Sequence, residues 1–171
     1  MDFTELAKKR YSVRKFDQRP IEDEKLNAIL ETGNLAPTAK NLQSHRIYVV
    51  RSEENLKKIR SLTRCHYGAP VVLVFAYDTD EEWHNPDEPE AHSGPQDASI
   101  VATHIMLKAA ELGIGSVWVN LFNPSEVKKA LGLPENETPL LLMPIGYAAK
   151  DSAPGYGHGV AKPLSGTVKV I

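Results

Sequence analysis

The sequence predicts a single α+β domain in which helices alternate with about four short strands. Three observations carry that prediction. Several segments place apolar residues at helical spacing between capping residues. Others are short apolar or β-branched runs bounded by proline or glycine. The length, 171 residues, is that of one domain, and a domain of this size buries about 70% of its unfolded surface.

The elements follow in order. Asp2 caps a first helix, Glu5 completes a box-like pattern, and Phe3, Leu6 and Ala7 form its apolar stripe. Lys8, Lys9 and Arg10 close that helix, where cations suit the dipole. A second helix runs from Glu22 to Thr32 on Leu26, Ile29 and Leu30, with Gly33 as a left-handed stop. Arg46 to Val50 reads as a strand, and Ser52 caps a helix from about Glu53. Val71 to Tyr77, behind Pro70, reads as a buried strand.

Composition then shifts. Asp78 to Pro95 holds acids, three prolines and two histidines, with Trp83 its only large apolar group, and reads as a mobile surface loop. Gln96 to Leu112 carries two apolar stripes and is expected to be a central helix ended by Gly113. Ser116 to Val119 reads as a strand. Asn123-Pro124-Ser125-Glu126 starts a helix that stops at Gly132. Leu140 to Ile145 reads as another strand, with Pro144 suggesting an edge position or a bulge. Asp151 to Ile171 has four glycines and two prolines, yet ends on Val168, Val170 and Ile171. An extended tail packed on a partner subunit accounts for both features.

Composition excludes some classes of function. With 20 basic and 22 acidic residues, no excess points to nucleic acid or a membrane surface. No apolar run reaches the roughly 18 residues of a membrane-spanning helix, and the first residues lack the plan of a signal peptide. Cys65 is the only cysteine, so neither an intrachain disulfide nor a cysteine-only metal site is possible. A reducing cytoplasm is the expected compartment.

Two polar clusters carry chemistry. In Arg10-Tyr11-Ser12-Val13-Arg14, two guanidinium forks and a hydroxyl can converge on one anion; the plainer reading is a solvated helix end. In Ala36-Pro37-Thr38-Ala39-Lys40-Asn41-Leu42-Gln43, a hydroxyl and two carboxamides suit a ligand with imide-like edges; the plainer reading is a turn. No Gly-x-Gly-x-x-Gly follows a strand, so a Rossmann dinucleotide site is not expected. His66, His84 and His92 lack metal-ligand spacing, and no metal is expected. His66, Tyr67 and Trp83 are candidates for a substrate pocket.

These segments resemble the nitroreductase family. Arg-x-Ser-x-Arg is followed by Ala-Pro-Thr-Ala-x-Asn-x-Gln, by Asp97 opening an alanine-rich helix, by Leu112 to Trp118, and by Met143-Pro144-Ile145-Gly146-Tyr147. The resemblance implies an α+β fold with a central mixed or antiparallel sheet flanked by helices, an intertwined homodimer, and FMN at the interface with NAD(P)H as reductant. Carried over by position, Arg10, Tyr11, Ser12 and Arg14 would serve the phosphate and ribityl chain. Pro37, Thr38, Ala39 and Asn41 would lie by the isoalloxazine ring, in part from the other subunit, and Gln43, also in the cofactor site, would support that turn. Trp118, Val119 and Asn120 would line its far side, Gly146 would also belong to the cofactor site, and Lys162 would reach the phosphate. Ser44-His45 stands where many relatives carry Pro-Trp, and Ala161 precedes Lys162 where many carry arginine. The implied reaction moves hydride from NAD(P)H through flavin N5 to a small-molecule oxidant such as a quinone or nitroaromatic, with no catalytic acid or base. Reductive dehalogenation, flavin breakdown or non-catalytic flavin binding on the same scaffold are the alternatives.

Overall fold

The computed structural model describes residues 2–171. Its helices are α1 (Phe3–Lys9), α2 (Asp23–Gly33), α3 (Glu53–Leu62), α4 (Gly94–Glu111) and α5 (Pro124–Leu131). Its strands are β1 (His45–Val50), β2 (Val71–Asp78), β3 (His84–Asn85), β4 (Glu88–His92), β5 (Gly115–Ser116) and β6 (Glu137–Gly146). Four strands form one antiparallel sheet in the order β1-β2-β6-β5.

Alternation along β2 builds the core on both faces. Val71, Leu73 and Phe75 pack with Leu26 and Ile29 of α2 and with Val101 and Ile105 of α4. Val72 and Val74 point the other way, to Leu56 and Ile59 of α3 and Val127 of α5. The sheet therefore lies between two helical layers, and α4, buried along Ala98, Val101, Ala102, Ile105 and Ala109, is the central helix expected from its two stripes.

Locally encoded caps form as read. Asp2 and Glu5 make the reciprocal capping box of α1. The Ser52 hydroxyl accepts from Asn55 N, and Asn123 accepts from Ser125 N and Glu126 N. Gly113 and Gly132 take positive φ after their helices.

Four expectations change. Gly33 is not a left-handed stop: it is the last residue of α2, and the cap Asn34 stays right-handed. Gly33 is needed for close packing, because a Cβ there would lie 2.9 Å from Ile105 Cδ1. Pro144 is not at an edge. It sits in β6 between β2 and β5, and its carbonyl accepts from Val117 N. Its nitrogen shares that side, so the missing N–H falls where the β5 ladder breaks, to resume at the Val119–Leu142 bridge. The expected strand Ser116 to Val119 is thus reduced to Ser116, the last residue of β5, and one later bridge at Val119. Asp78 to Pro95 is not structureless, since β3 and β4 form a hairpin within it.

The tail is exposed from Ala153 to Ile171 and holds no more than a turn at Tyr156–Gly159 and a short 3-10 turn at Leu164–Gly166. Tyr156, Val160, Leu164, Val170 and Ile171 all stand open to solvent. On the body of the domain, Phe3 and Leu35 are likewise exposed.

Candidate functional site

The Arg10–Arg14 segment is not a helix end. Arg10 leaves α1 with φ −63° and ψ 131°, and the extended chain then bridges Ser12 to Ser116 and Phe16 to Ala148. Period-two alternation buries Val13 in the core and turns Arg10, Ser12 and Arg14 into one open cavity of about 770 Å³. The tail from Gly155 to Ala161 forms its other wall. Among the described residues neither arginine meets a carboxylate, and the one side-chain hydrogen bond of Arg14 is to the Ser12 carbonyl at 3.4 Å. Arg46, by contrast, reaches Asp78 at 3.0 Å and Glu81 at 2.6 Å. Two guanidinium groups held on one face without counterions have the chemistry to receive an anion.

Tyr67 belongs to this region. Its hydroxyl lies beside the Cys65 thiol and the Arg14 guanidinium; the thiol and partial burial raise its pKa, against the opposing pull of Arg14. Its left-handed φ of 50° is set by a tight turn in which Gly68 N donates to His66 Nδ1. His66 faces elsewhere, into an open cavity with Arg60, Arg64 and Phe122.

The Pro37–Gln43 turn is strained. Lys40, Asn41 and Gln43 have φ of 49°, 56° and 55°, conformations that cost L-residues roughly 1–2 kcal/mol each. The surroundings hold it there. Gln43 N donates to Thr38 Oγ1 at 3.2 Å, and Ala39 N donates to Asp97 Oδ1 at 3.0 Å. Asp97 is only 3% exposed, and its second oxygen accepts from Ser93 Oγ at 2.8 Å. Just after the turn, Ser44 Oγ and His45 Nδ1 are buried without partners. Burial lowers the His45 pKa, with Arg46 adding to the effect. Strain of this kind persists only where the surroundings overdetermine it, as Thr38 and Asp97 do here.

A cavity of about 330 Å³ adjoins this turn, lined by Pro37, Thr38, Ala39, Trp83, Gln96 and Ile100 among others. Of the three pocket candidates, Trp83 joins a predicted site segment here, Tyr67 joins the other, and His66 joins neither. The two motif segments line different cavities of one chain.

The later positions are mixed. Trp118 Nε1 donates to Asn120 Oδ1 at 3.0 Å. Val119 is buried, with both backbone groups bonded to Leu142. Gly146 is enclosed, since a Cβ there would meet Pro70 Cδ at 2.8 Å. Lys162 is exposed on the tail and is absent from the cavity around Arg10 and Arg14. Sequence reasoning missed two things: that the Asp97 carboxylate anchors the turn, and that Glu82 clasps the hairpin. The buried Glu82 accepts from His92 Nδ1 at 2.6 Å and Gly94 N at 2.8 Å. Nothing local signals either one, because both depend on residues brought together by the fold. Among the described residues no three His, Cys, Asp or Glu side chains gather as metal ligands, and no helix is long and apolar enough to cross a membrane.

An NADPH-dependent oxidoreductase of Staphylococcus aureus (strain MRSA252) is 27% identical over 174 residues, covering 92% of this chain and 67% of its own. The family model described as "Nitroreductase family" matches residues 7–67 and 62–147. The crystal structure of a nitroreductase family protein from Clostridium difficile 630 superposes with a TM-score of 0.91 at 37% identity, over 99% of this chain and 98% of that one. An FMN-dependent nitroreductase from Clostridium difficile R20291 is 30% identical, with a TM-score of 0.72 over 88% and 90%. The chain belongs to the nitroreductase family.

Proposed function

We propose that this chain binds FMN and, as a cytoplasmic homodimer, passes reducing equivalents from NAD(P)H to quinone- or nitroaromatic-type acceptors. The observation that carries the reading is the pair of arginines on one extended face, both without a carboxylate partner. Arg10 and Arg14 hold the FMN phosphate as charge-assisted donors, and Ser12 adds a short hydroxyl bond. Tyr67 steadies Arg14 from behind. Asn41 and Gln43 present carboxamides to the polar edge of the ring, on a backbone already fixed by Thr38 and Asp97. When bound, FMN supplies the N5 position that takes up and releases hydride. Trp83 and Ile100 exclude water beside the turn. No side chain need act as acid or base.

A second copy of the chain completes the site. One chain leaves the phosphate segment and the ring segment in separate cavities, and it leaves Tyr156, Leu164, Val170 and Ile171 uncovered. A tail packed across a partner covers those side chains, and the partner's own turn meets the arginine face.

The test is anaerobic spectroscopy of the purified protein with added FMN. Uptake of FMN with flavin bands that bleach on NADH or NADPH and return on adding a quinone is the expected result. Arg14→Ala should weaken FMN about 10- to 100-fold, the loss of a charged hydrogen bond worth about 1.5–3 kcal/mol, and should leave riboflavin, which lacks the phosphate, unaffected. A chain that takes up neither flavin would overturn the proposal.

A further inference from the structure

We propose that Ser93 couples the β3–β4 hairpin to the Pro37–Gln43 turn, so that Trp83 selects the electron acceptor and takes its working position when FMN occupies that turn. The inference rests on the FMN reading above. A continuous path of bonds runs from turn to hairpin: Ala39 N donates to Asp97 Oδ1 at 3.0 Å, Ser93 Oγ to Asp97 Oδ2 at 2.8 Å, and Trp83 N to Ser93 Oγ at 3.2 Å. Ser93 N closes the ring by donating to the Trp83 carbonyl at 2.9 Å. Ser93 and Asp97 are both buried, so the Ser93 hydroxyl donates one bond and accepts another where water cannot substitute.

The hairpin beyond this joint is weak by itself. It has two paired positions, His84↔His92 and Asn85↔Glu88, and an isolated two-stranded hairpin is marginal in water. Its order therefore depends on its base, where Glu82 clasps His92 and Gly94 and where Ser93 meets Asp97. The same joint places Trp83 in the wall of the cavity beside Pro37–Ala39, which Gln96 and Ile100 also line. At about 330 Å³ that cavity lies near the lower end of the roughly 300–1,000 Å³ typical of small-molecule sites. Trp83 and Ile100 offer apolar wall to a planar acceptor, while Thr38, His92 and Gln96 line the same cavity where a polar edge could be met.

Hydrogen exchange of residues 80–93, read by mass spectrometry with and without saturating FMN, tests the coupling. In the wild-type protein FMN should slow exchange there by about 10-fold, a coupling within the usual range of 5- to 150-fold. Ser93→Ala should abolish that response and weaken FMN by no more than that same factor, about 10-fold. Ser93→Thr, which retains the hydroxyl, should restore the response. FMN uptake with no hairpin response in the wild type, or an unchanged response in Ser93→Ala, overturns the coupling alone. A wild-type chain that takes up no FMN overturns the cofactor reading and the coupling together. Trp83→Leu leaves the relay intact and guards against a misfolded serine variant: it should change the KM for a quinone several-fold without altering the KM for NAD(P)H, and equal effects on both would overturn the selecting role.

Discussion

The two segments that line the site are built on opposite principles. Residues 10–14 are relaxed extended chain whose side chains carry unbalanced charge. Residues 37–43 carry little charge, but their backbone is strained at three positions and tied to a buried carboxylate. The first stores its binding capacity in unpaired cations, which water solvates until an anion arrives. The second stores it in geometry, fixed before any ligand binds. One domain can therefore combine a strong, salt-sensitive grip at one end of a ligand with exact placement at the other.

If that contrast holds, stability should respond to one segment and not to the other. Asp97→Ala leaves Ala39 N–H and the buried Ser93 hydroxyl without an acceptor. It should cost about 3 kcal/mol in urea unfolding, given about 1–3 kcal/mol for each unsatisfied group. Arg14→Ala touches nothing the fold depends on and should stay within about 0.5 kcal/mol of wild type. Comparable losses for the two variants would erase the distinction.

A smaller effect follows from pH. Burial lowers the folded-state pKa of His45, directly behind the turn. Below about pH 6.5 the unfolded chain binds a proton that the folded chain refuses, so stability should fall from there toward the lowered folded pKa, by at most about 1.4 kcal/mol per pH unit. His66, also lowered by burial, adds to the same slope. His45→Gln should reduce the slope and His66→Asn should reduce it further, as measured by Tm against pH. A slope unchanged in His45→Gln would show that the residue is better solvated than its position indicates.

The smallest effect is the most diagnostic. Lys40→Gly relieves a left-handed φ of 49° and should stabilise the fold by about 0.5 kcal/mol, glycine's entropy cost offsetting part of the relief. FMN affinity should fall in the same variant. Gains in both would mean that the strain serves no binding purpose.

What could be read from the sequence was whatever a few neighbouring residues decide. The caps at Asp2, Ser52, Asn123 and Gly132 came through because each is settled within a turn of chain. The two strips of α4 and the apolar run of β2 came through because periodicity reports burial. Gly33 and Pro144 were misread because each has a common local use, and the fold employs them for another: helix contact at Gly33 and a gap in a ladder at Pro144. The site was half legible. Arg10, Ser12 and Arg14 were visible as a polar cluster of two charges and a hydroxyl, but not as one face of an extended strand, because the adjoining helix suggested a helical end. The hairpin was hidden by its acids and prolines, since its order comes from Glu82, Ser93 and Asp97 across the fold.

The stitching of residues 12–16 onto the sheet at Ser116 and Ala148 limits how this protein can change in length. Removing or adding one residue between Arg10 and Arg14 would exchange inside for outside, driving a guanidinium into the place of Val13 and exposing an apolar side chain to the cavity. A change of two residues preserves the parity. Insertions and deletions in this stretch should therefore be tolerated in even numbers and rejected in odd ones, a rule that applies to no other part of the site, because the turn at 37–43 has no alternation to preserve.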